Sequence, residues 1–318
     1  MEQEYRESEE NKDPHIKPNW INSDRSKSKP LKVWYTNCDV LTSLKIQELS
    51  VNIDHFHPDI ICITEVKPKN YQRTLTLVEY NIPGYNIEHK NILDDIGRGM
   101  ILYIKNSFTY ELFDNELVTG MNPQEILLTE VKFYTVNIFF AFIYRSPNSD
   151  LGNTDYLNES LKTLSDIYPS NFIVIGDFNY PKIDWEHYTT TASINDILSK
   201  FLDCVRDCFF EQLVDKPTRG RNSDNPSLID LVLTNNNEII DSTTVLPPLG
   251  KSDHGIVEVL LQDFSFDESY DTYWDYARGD YDSMNKMFDI ECCNLFLSYF
   301  IRSIFLWQQN THENKSHH

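Results

Sequence analysis

The tetrapeptide Gly176-Asp177-Phe178-Asn179 follows the apolar run Phe172-Ile173-Val174-Ile175 without a break. Such a run reads as a buried strand, and side chains alternate along a strand with period two, so Asp177 and Asn179 are expected on one face at its end. A carboxylate and a carboxamide held there suit a metal ion or a phosphate group. Further on, Lys251-Ser252-Asp253-His254 sets an acid beside an imidazole, ahead of the apolar run Ile256-Val257-Glu258-Val259-Leu260-Leu261. Together these residue types point to metal-assisted attack on a phosphodiester. Taken singly, an Asp, Asn or His at a strand end is more often a turn former or cap. The functional reading rests on the ordered set.

Elements able to position that set recur along the chain. Val33-Trp34-Tyr35-Thr36-Asn37 and Ile60-Ile61-Cys62-Ile63-Thr64-Glu65 also end in polar residues, Tyr144 and Arg145 follow Ile138-Phe139-Phe140-Ala141-Phe142-Ile143, and Asp230 lies within Leu228-Ile229-Asp230-Leu231-Val232-Leu233. Strands are expected at residues 31–37, 59–64, 99–104, 126–133, 136–144, 172–176, 229–234 and 256–261. Many are continuously apolar, as when both faces of a sheet are covered. Helical patterns fill residues 44–56, 156–167 and 194–208, and residues 131–137 read as a tight hairpin, so the sheet is expected to be mixed. The strand ends are expected to share one rim.

In this order, Asn37, Glu65, Tyr144-Arg145, Asp177 with Asn179, Asp230 and Asp253-His254 resemble the endonuclease/exonuclease/phosphatase superfamily, which includes deoxyribonuclease I. The resemblance covers roughly residues 31–262. Tyr35-Thr36-Asn37-Cys38-Asp39, Gly97-Arg98-Gly99-Met100-Ile101-Leu102-Tyr103-Ile104-Lys105, Tyr144-Arg145-Ser146-Pro147, Pro217-Thr218-Arg219 and Ser227-Leu228-Ile229-Asp230-Leu231 are most similar to the endonuclease domain of chicken-repeat and Jockey-like non-LTR retrotransposons. The resemblance implies an α/β fold, a four-layer sandwich of two packed mixed β-sheets flanked by helices.

A hard divalent ion prefers oxygen ligands and keeps several waters, so one or two carboxylates suffice alongside substrate phosphate. Mg²⁺ is the expected cofactor, with Mn²⁺ as a substitute. Glu65 is the first choice of ligand, Asn37 assists through its amide oxygen, and Asp253 is a further candidate. By resemblance Asp39 matches a position near the metal in some apurinic endonucleases. Asp177 is expected to orient or deprotonate water and Asn179 to donate its amide to phosphate. His254 is expected to donate as imidazolium, with Asp230 its partner by family likeness, because Asp253 points the other way in an extended segment. Tyr144 would donate a phenolic proton toward phosphate or the leaving oxygen, and Arg145 would anchor phosphate or its own loop.

The chain has 318 residues, with 40% hydrophobic and 13% aromatic content, enough for a substantial core. Residues 1–30 are rich in Glu, Lys, Asn, Asp and Ser, too polar to offset ordering entropy, and read as a disordered tail. Residues 31–262 form the expected catalytic domain. Residues 263–318 read as an acidic, aromatic linker and an apolar tail, a remnant of the link to a missing reverse transcriptase. That tail is shorter than a usual membrane span and is read as a packing or partner-seeking helix, so a protein partner but no membrane is expected. The cysteines show neither a secretory pattern nor Cys-x-x-Cys spacing, which suggests an intracellular setting, nuclear if the substrate is chromosomal DNA and cytoplasmic otherwise.

The net charge of −21 is the wrong sign for affinity built on a broad basic surface. DNA is therefore expected to bind weakly and locally, with Arg145, Lys216, Arg219, Arg221 and Lys251 as a small basic rim. The function expected is DNA nicking by a retrotransposon-derived endonuclease that lacks its polymerase. The alternatives are an apurinic endonuclease or other phosphoesterase on the same site, and a domesticated or fossil interaction protein without turnover.

Overall fold

The structure is a computed structural model that describes residues 30–69, 76–93, 97–113, 126–133, 136–220 and 225–262. The expected N-terminal tail, apart from residue 30, and the segment from residue 263 onward lie outside these residues, as does Arg221.

The first half of the chain runs β1 (Lys32–Asn37), α1 (Ser43–Phe56), β2 (Ile60–Thr64), β3 (Tyr85–Lys90), β4 (Met100–Lys105), β5 (Thr109–Phe113), β6 (Ile126–Phe133) and β7 (Val136–Tyr144). It continues through α2 (Leu151–Ile167), β8 (Phe172–Asp177), β9 (Ile183–Asp184), β10 (Thr189–Thr190), α3 (Ile197–Asp207), β11 (Glu211–Gln212), β12 (Asp230–Thr234), β13 (Ile240–Leu246) and β14 (Ile256–Leu261). Two six-stranded sheets result, ordered β13-β14-β1-β2-β4-β3 and β11-β12-β8-β7-β6-β5, beside a small β9-β10 ribbon. Both large sheets are mixed, with β1–β2 and β7–β8 parallel. The expected hairpin is present, β6 and β7 pairing antiparallel as far as Phe133 opposite Val136.

Alternation within each apolar run assigns its residues to different layers. In β7, Phe140 and Phe142 enter a core between the sheets with Val33, Tyr35, Cys62, Leu102, Ile175 and Val232. Phe139, Ala141 and Ile143 face the other way, onto Leu157, Leu161 and Leu164 of α2 and Phe201 and Val205 of α3. On the first sheet, Trp34, Ile61 and Ile101 pack outward with Leu49 and Ile53, which belong to α1. The order is helix, sheet, sheet, helices, the expected four-layer sandwich. Both faces of the central strands are dry, so they carry no polar alternation.

Two helix starts differ from the sequence pattern. The second helix begins at Leu151 rather than residue 156, because Asp150 caps it by accepting from the Asn153 amide at 2.8 Å. The third begins at Ile197 rather than 194, capped by Asp196, which accepts from Leu198 N at 2.9 Å.

Candidate active site

The mixed topology gathers strand ends on one rim. Parallel pairing brings the end of β1 at Asn37 beside Thr64, the last residue of β2, and the end of β7 at Tyr144 beside Asp177. Antiparallel β12 starts at the same rim with Asp230 opposite Asp177, and Arg219 bridges to His254 ahead of β14. A cavity of about 320 Å³ opens there, lined by Asn37, Asp39, Glu65, Pro147, Asp177, Asn179, Arg219, Asp253 and His254.

One wall is a buried relay. His254 Nδ1 lies 2.8 Å from Asp230 Oδ2, and Nε2 lies 3.9 Å from Asp177 Oδ2. Asn37 donates its amide N–H to Asp177 Oδ2 at 3.0 Å. Burial by itself would lower the His254 pKa, but the charge and hydrogen bond of Asp230, with Asp177 and Asp253 behind, outweigh it and push the imidazole up to about 9. Burial is also the main cause that raises Asp177 to about 7, followed by the like charge of Asp230, while His254 and Asn37 pull the other way.

The opposite wall is carboxylate-rich. Glu65 receives the Tyr144 hydroxyl on Oε1 at 2.7 Å, and Arg98 Nη2 lies 2.6 Å from Glu65 Oε2 and 3.4 Å from Asp39 Oδ1. Asn37 Oδ1 accepts from the Asp39 amide at 3.2 Å. Beneath this loop, Lys45 of α1 donates to the carbonyls of Cys38 and Asp39.

Backbone strain collects on the same rim. Asp39, Val40, Glu65 and Asn179 have φ of 42°, 73°, 52° and 52°, in the left-handed region that non-glycine residues avoid. Each costs roughly 1–3 kcal/mol, so the surrounding bonds must hold them there, and such strain gathers at functional sites. Gly176 answers a different demand. A Cβ on it would lie 2.1 Å from the Ile143 carbonyl oxygen, so only glycine lets β8 run this close to β7 ahead of Asp177.

A family model described as endonuclease-reverse transcriptase matches residues 138–258. Among solved structures, the endonuclease domain of TRAS1, a telomere-specific non-LTR retrotransposon, is similar with a TM-score of 0.56 and 16% identity, covering 74% of this chain and 100% of that one. The AP endonuclease LMAP from Leishmania major gives 0.56 with 14% identity over 76% of this chain and 90% of its own. The 3′ phosphatase NExo from Neisseria, bound to product DNA hairpin, gives 0.53 with 12% identity over 73% and 100%. The chain has the α/β-sandwich fold of these nucleases and phosphatases, and residues 138–258 match the endonuclease-reverse transcriptase family. No curated protein matches the sequence in a direct search.

Within this fold, several roles expected from the sequence need correction. Arg145 is 1% exposed. Its guanidinium donates to the carbonyls of Phe178 at 3.3 Å and Ser149 at 3.2 Å and stacks 4.3 Å from the Tyr180 ring centroid. It therefore anchors its loop and is not placed to hold substrate phosphate. Arg219 lines the cavity instead, its Nε donating to Asp253 Oδ2 at 3.0 Å, so Asp253 positions a cation at the rim. Tyr144 is turned onto Glu65 rather than toward the cavity, and burial, then the Glu65 charge, keep its phenol neutral and donating. Asn179 reaches the cavity through a turn, not strand alternation: β8 ends at Asp177, whose Oδ1 accepts from Asn179 N at 3.1 Å. One Asn179 amide proton goes to the Arg145 carbonyl at 2.8 Å.

Other residues hold the site although the sequence reading gave them no role. Tyr35 accepts the Asp177 backbone N–H at 2.8 Å and exchanges a hydrogen bond with Thr64 at 3.0 Å, joining the two sheets. Thr218 Oγ1 accepts from Asp230 N at 3.0 Å. Ser252 donates to the Asn37 carbonyl at 2.7 Å and accepts from His254 N at 3.2 Å. All three sit inside the quoted motifs, but a hydroxyl in a strand or loop has no spacing that marks it as a strut. Arg98 also lies within a quoted motif, but nothing in the sequence places it beside Glu65.

The carboxylate wall fits a hard divalent ion. Its donors, Glu65, Asp39 and Asn37 Oδ1, are all oxygens, and Glu65 and Asp39 already converge on one positive nitrogen. Asp177, Asp230 and His254 also bring ligand atoms within 4.8 Å of one another. There the raised His254 pKa favours an imidazolium, which has no lone pair to offer a metal. Among the described residues no helix is long and apolar enough to cross a membrane.

Proposed function

We propose that the chain is a metal-dependent phosphodiester hydrolase, a DNA-nicking endonuclease derived from a non-LTR retrotransposon. The observation that carries the reading is His254, clamped by buried Asp230 at 2.8 Å beside Asp177, on one wall of a cavity whose other wall holds Glu65 and Asp39. The endonuclease-reverse transcriptase match over residues 138–258 supports DNA nicking of the retrotransposon kind, while the fold is shared equally with an AP endonuclease. Glu65, with Asp39 and Asn37, would hold Mg²⁺, or Mn²⁺ in its place. When bound, it supplies positive charge to the phosphate oxygens and lowers the pKa of water.

The chain's own residues do the rest. Asp177, fixed by the Asn37 amide and by the bond from its own N–H to Tyr35, aligns the attacking water and takes its proton. His254 donates from Nε2 to a phosphoryl oxygen, its charge supported through Nδ1 by Asp230. The second amide proton of Asn179 and the guanidinium of Arg219 bind phosphate at the rim. Tyr144 holds Glu65 in place. The catalytic domain spans residues 31–262, and the working compartment is the nucleus if chromosomal DNA is the target.

The substrate class is tested by presenting purified protein and Mg²⁺ with an intact duplex, a duplex carrying one abasic site, and a small aryl phosphodiester. Strand scission of the intact duplex is expected. Cleavage confined to the abasic duplex, or to the small ester, would reassign the substrate while keeping the site.

A further inference from the structure

We propose that Arg98 is a resident counter-cation of the Glu65–Asp39 pair, which competes with the divalent ion for those carboxylates and thereby weakens the metal affinity of the site. The inference rests on the reading that the metal binds at Glu65.

Arg98 is built into place. It stands between Gly97 at φ 64° and Gly99 at φ 76°, in the turn that leads into β4. A Cβ on Gly99 would fall 2.6 Å from the Ile92 side chain and 3.1 Å from the Asn91 carbonyl oxygen, so the turn is fixed to glycine at that point. The Arg98 carbonyl accepts from Lys67 N at 2.7 Å, and Arg98 Nε donates to the Lys67 carbonyl at 2.8 Å. This two-way bond ties the guanidinium plane to the segment just after Glu65. Nη2 then falls 2.6 Å from Glu65 Oε2 and 3.4 Å from Asp39 Oδ1, with the Arg98 side chain only 18% exposed.

Glu65 has two oxygens, and both are engaged: Oε1 by the Tyr144 hydroxyl, Oε2 by Arg98. A metal ion that binds Glu65 must share or displace one of these partners. The phenol is neutral and tolerates a nearby cation, whereas the guanidinium is always charged and repels one. The competition therefore runs through Arg98. Without metal, the same residue offsets part of the negative charge of two carboxylates that strained backbone holds near each other.

The test measures Mn²⁺ binding to the full chain by the paramagnetic resonance signal of free Mn²⁺, for wild type, Arg98→Gln and Glu65→Gln. Arg98→Gln is expected to tighten Mn²⁺ binding at least tenfold, and Glu65→Gln to abolish it at the same site. In wild type with isotope-labelled arginine, saturating Mg²⁺ should shift the Arg98 guanidinium resonance and speed exchange of its Nη protons, a readout that survives if Arg98→Gln fails to fold. Equal or weaker binding by folded Arg98→Gln, or an Arg98 resonance indifferent to Mg²⁺ while Glu65→Gln still loses binding, would overturn the role of Arg98 alone. Wild-type binding that Glu65→Gln leaves unchanged, or no binding by any variant, would overturn the metal reading and this proposal with it.

Discussion

At the scale of single residues, the site works by setting two titrating groups apart. Asp177 and Asp230 face each other on neighbouring strands, an arrangement unfavourable for two charges, and the proton kept nearby resides on His254. In the proposed mechanism Asp177 must be ionised to accept a proton from water and His254 protonated to donate, so the active form is expected between about 7 and about 9. A pH–rate profile should rise through the lower value and fall through the upper one. Asp230→Asn keeps a hydrogen-bond partner but removes the charge, so the alkaline limb should move to lower pH. His254→Ala should cost on the order of a hundredfold or more in turnover; an unchanged rate would remove His254 from the chemistry. Arg145 makes the opposite prediction. Because its buried guanidinium satisfies loop carbonyls and stacks on Tyr180, Arg145→Ala should lower stability in urea unfolding by about 2–4 kcal/mol. Wild-type stability combined with a raised KM would restore the phosphate-anchoring role.

At the scale of elements, what could be read in the sequence depended on where a strand lies in its sheet. The central strands β1, β2, β7, β8 and β12 are covered on both faces and stand out as apolar runs, so the ends that carry Asn37, Glu65, Tyr144, Asp177 and Asp230 were legible. Strands β3, β5, β11 and β13 were not, and all four are sheet edges. An edge strand such as Thr109–Phe113 has most of its residues exposed or half-buried and carries no apolar run. Within the site, residue types and order were legible, but side-chain direction was not: Arg145 turned inward, and Arg98 turned toward Glu65. Gly176 shows how tightly the elements depend on each other. Gly176→Ala would force β8 away from the Ile143 carbonyl, and the expected loss is about 3 kcal/mol or more, measured by denaturant unfolding. A soluble, wild-type-stable Gly176→Ala protein would contradict the close approach described here.

At the scale of the whole molecule, the proposed function requires a chain of net charge −21 to meet a polyanion. Such a protein cannot rely on broad counterion release, and in the proposed mechanism Arg219 and His254, which line the cavity, are the cationic contacts to phosphate. With about two phosphates neutralised, the logarithm of kcat/KM should fall with the logarithm of salt concentration with a slope of about −2, shallow beside a basic DNA binder. A slope several times steeper would mean a basic surface outside this rim. The four-layer frame is shared with a retrotransposon endonuclease domain, an AP endonuclease and a 3′ phosphatase, and a fold does not by itself decide function, so the chemistry has to be argued from the site. The central claim is that the carboxylate wall holds a divalent ion and the rim around it cuts phosphodiesters. It is tested most directly by the conversion of supercoiled plasmid to nicked circles by the purified chain in Mg²⁺, in EDTA, and in Mg²⁺ after Glu65→Ala. Nicked circles are predicted in the first reaction alone; nicking that persists in EDTA or in Glu65→Ala, or that never occurs in wild type with any divalent ion, would contradict the account.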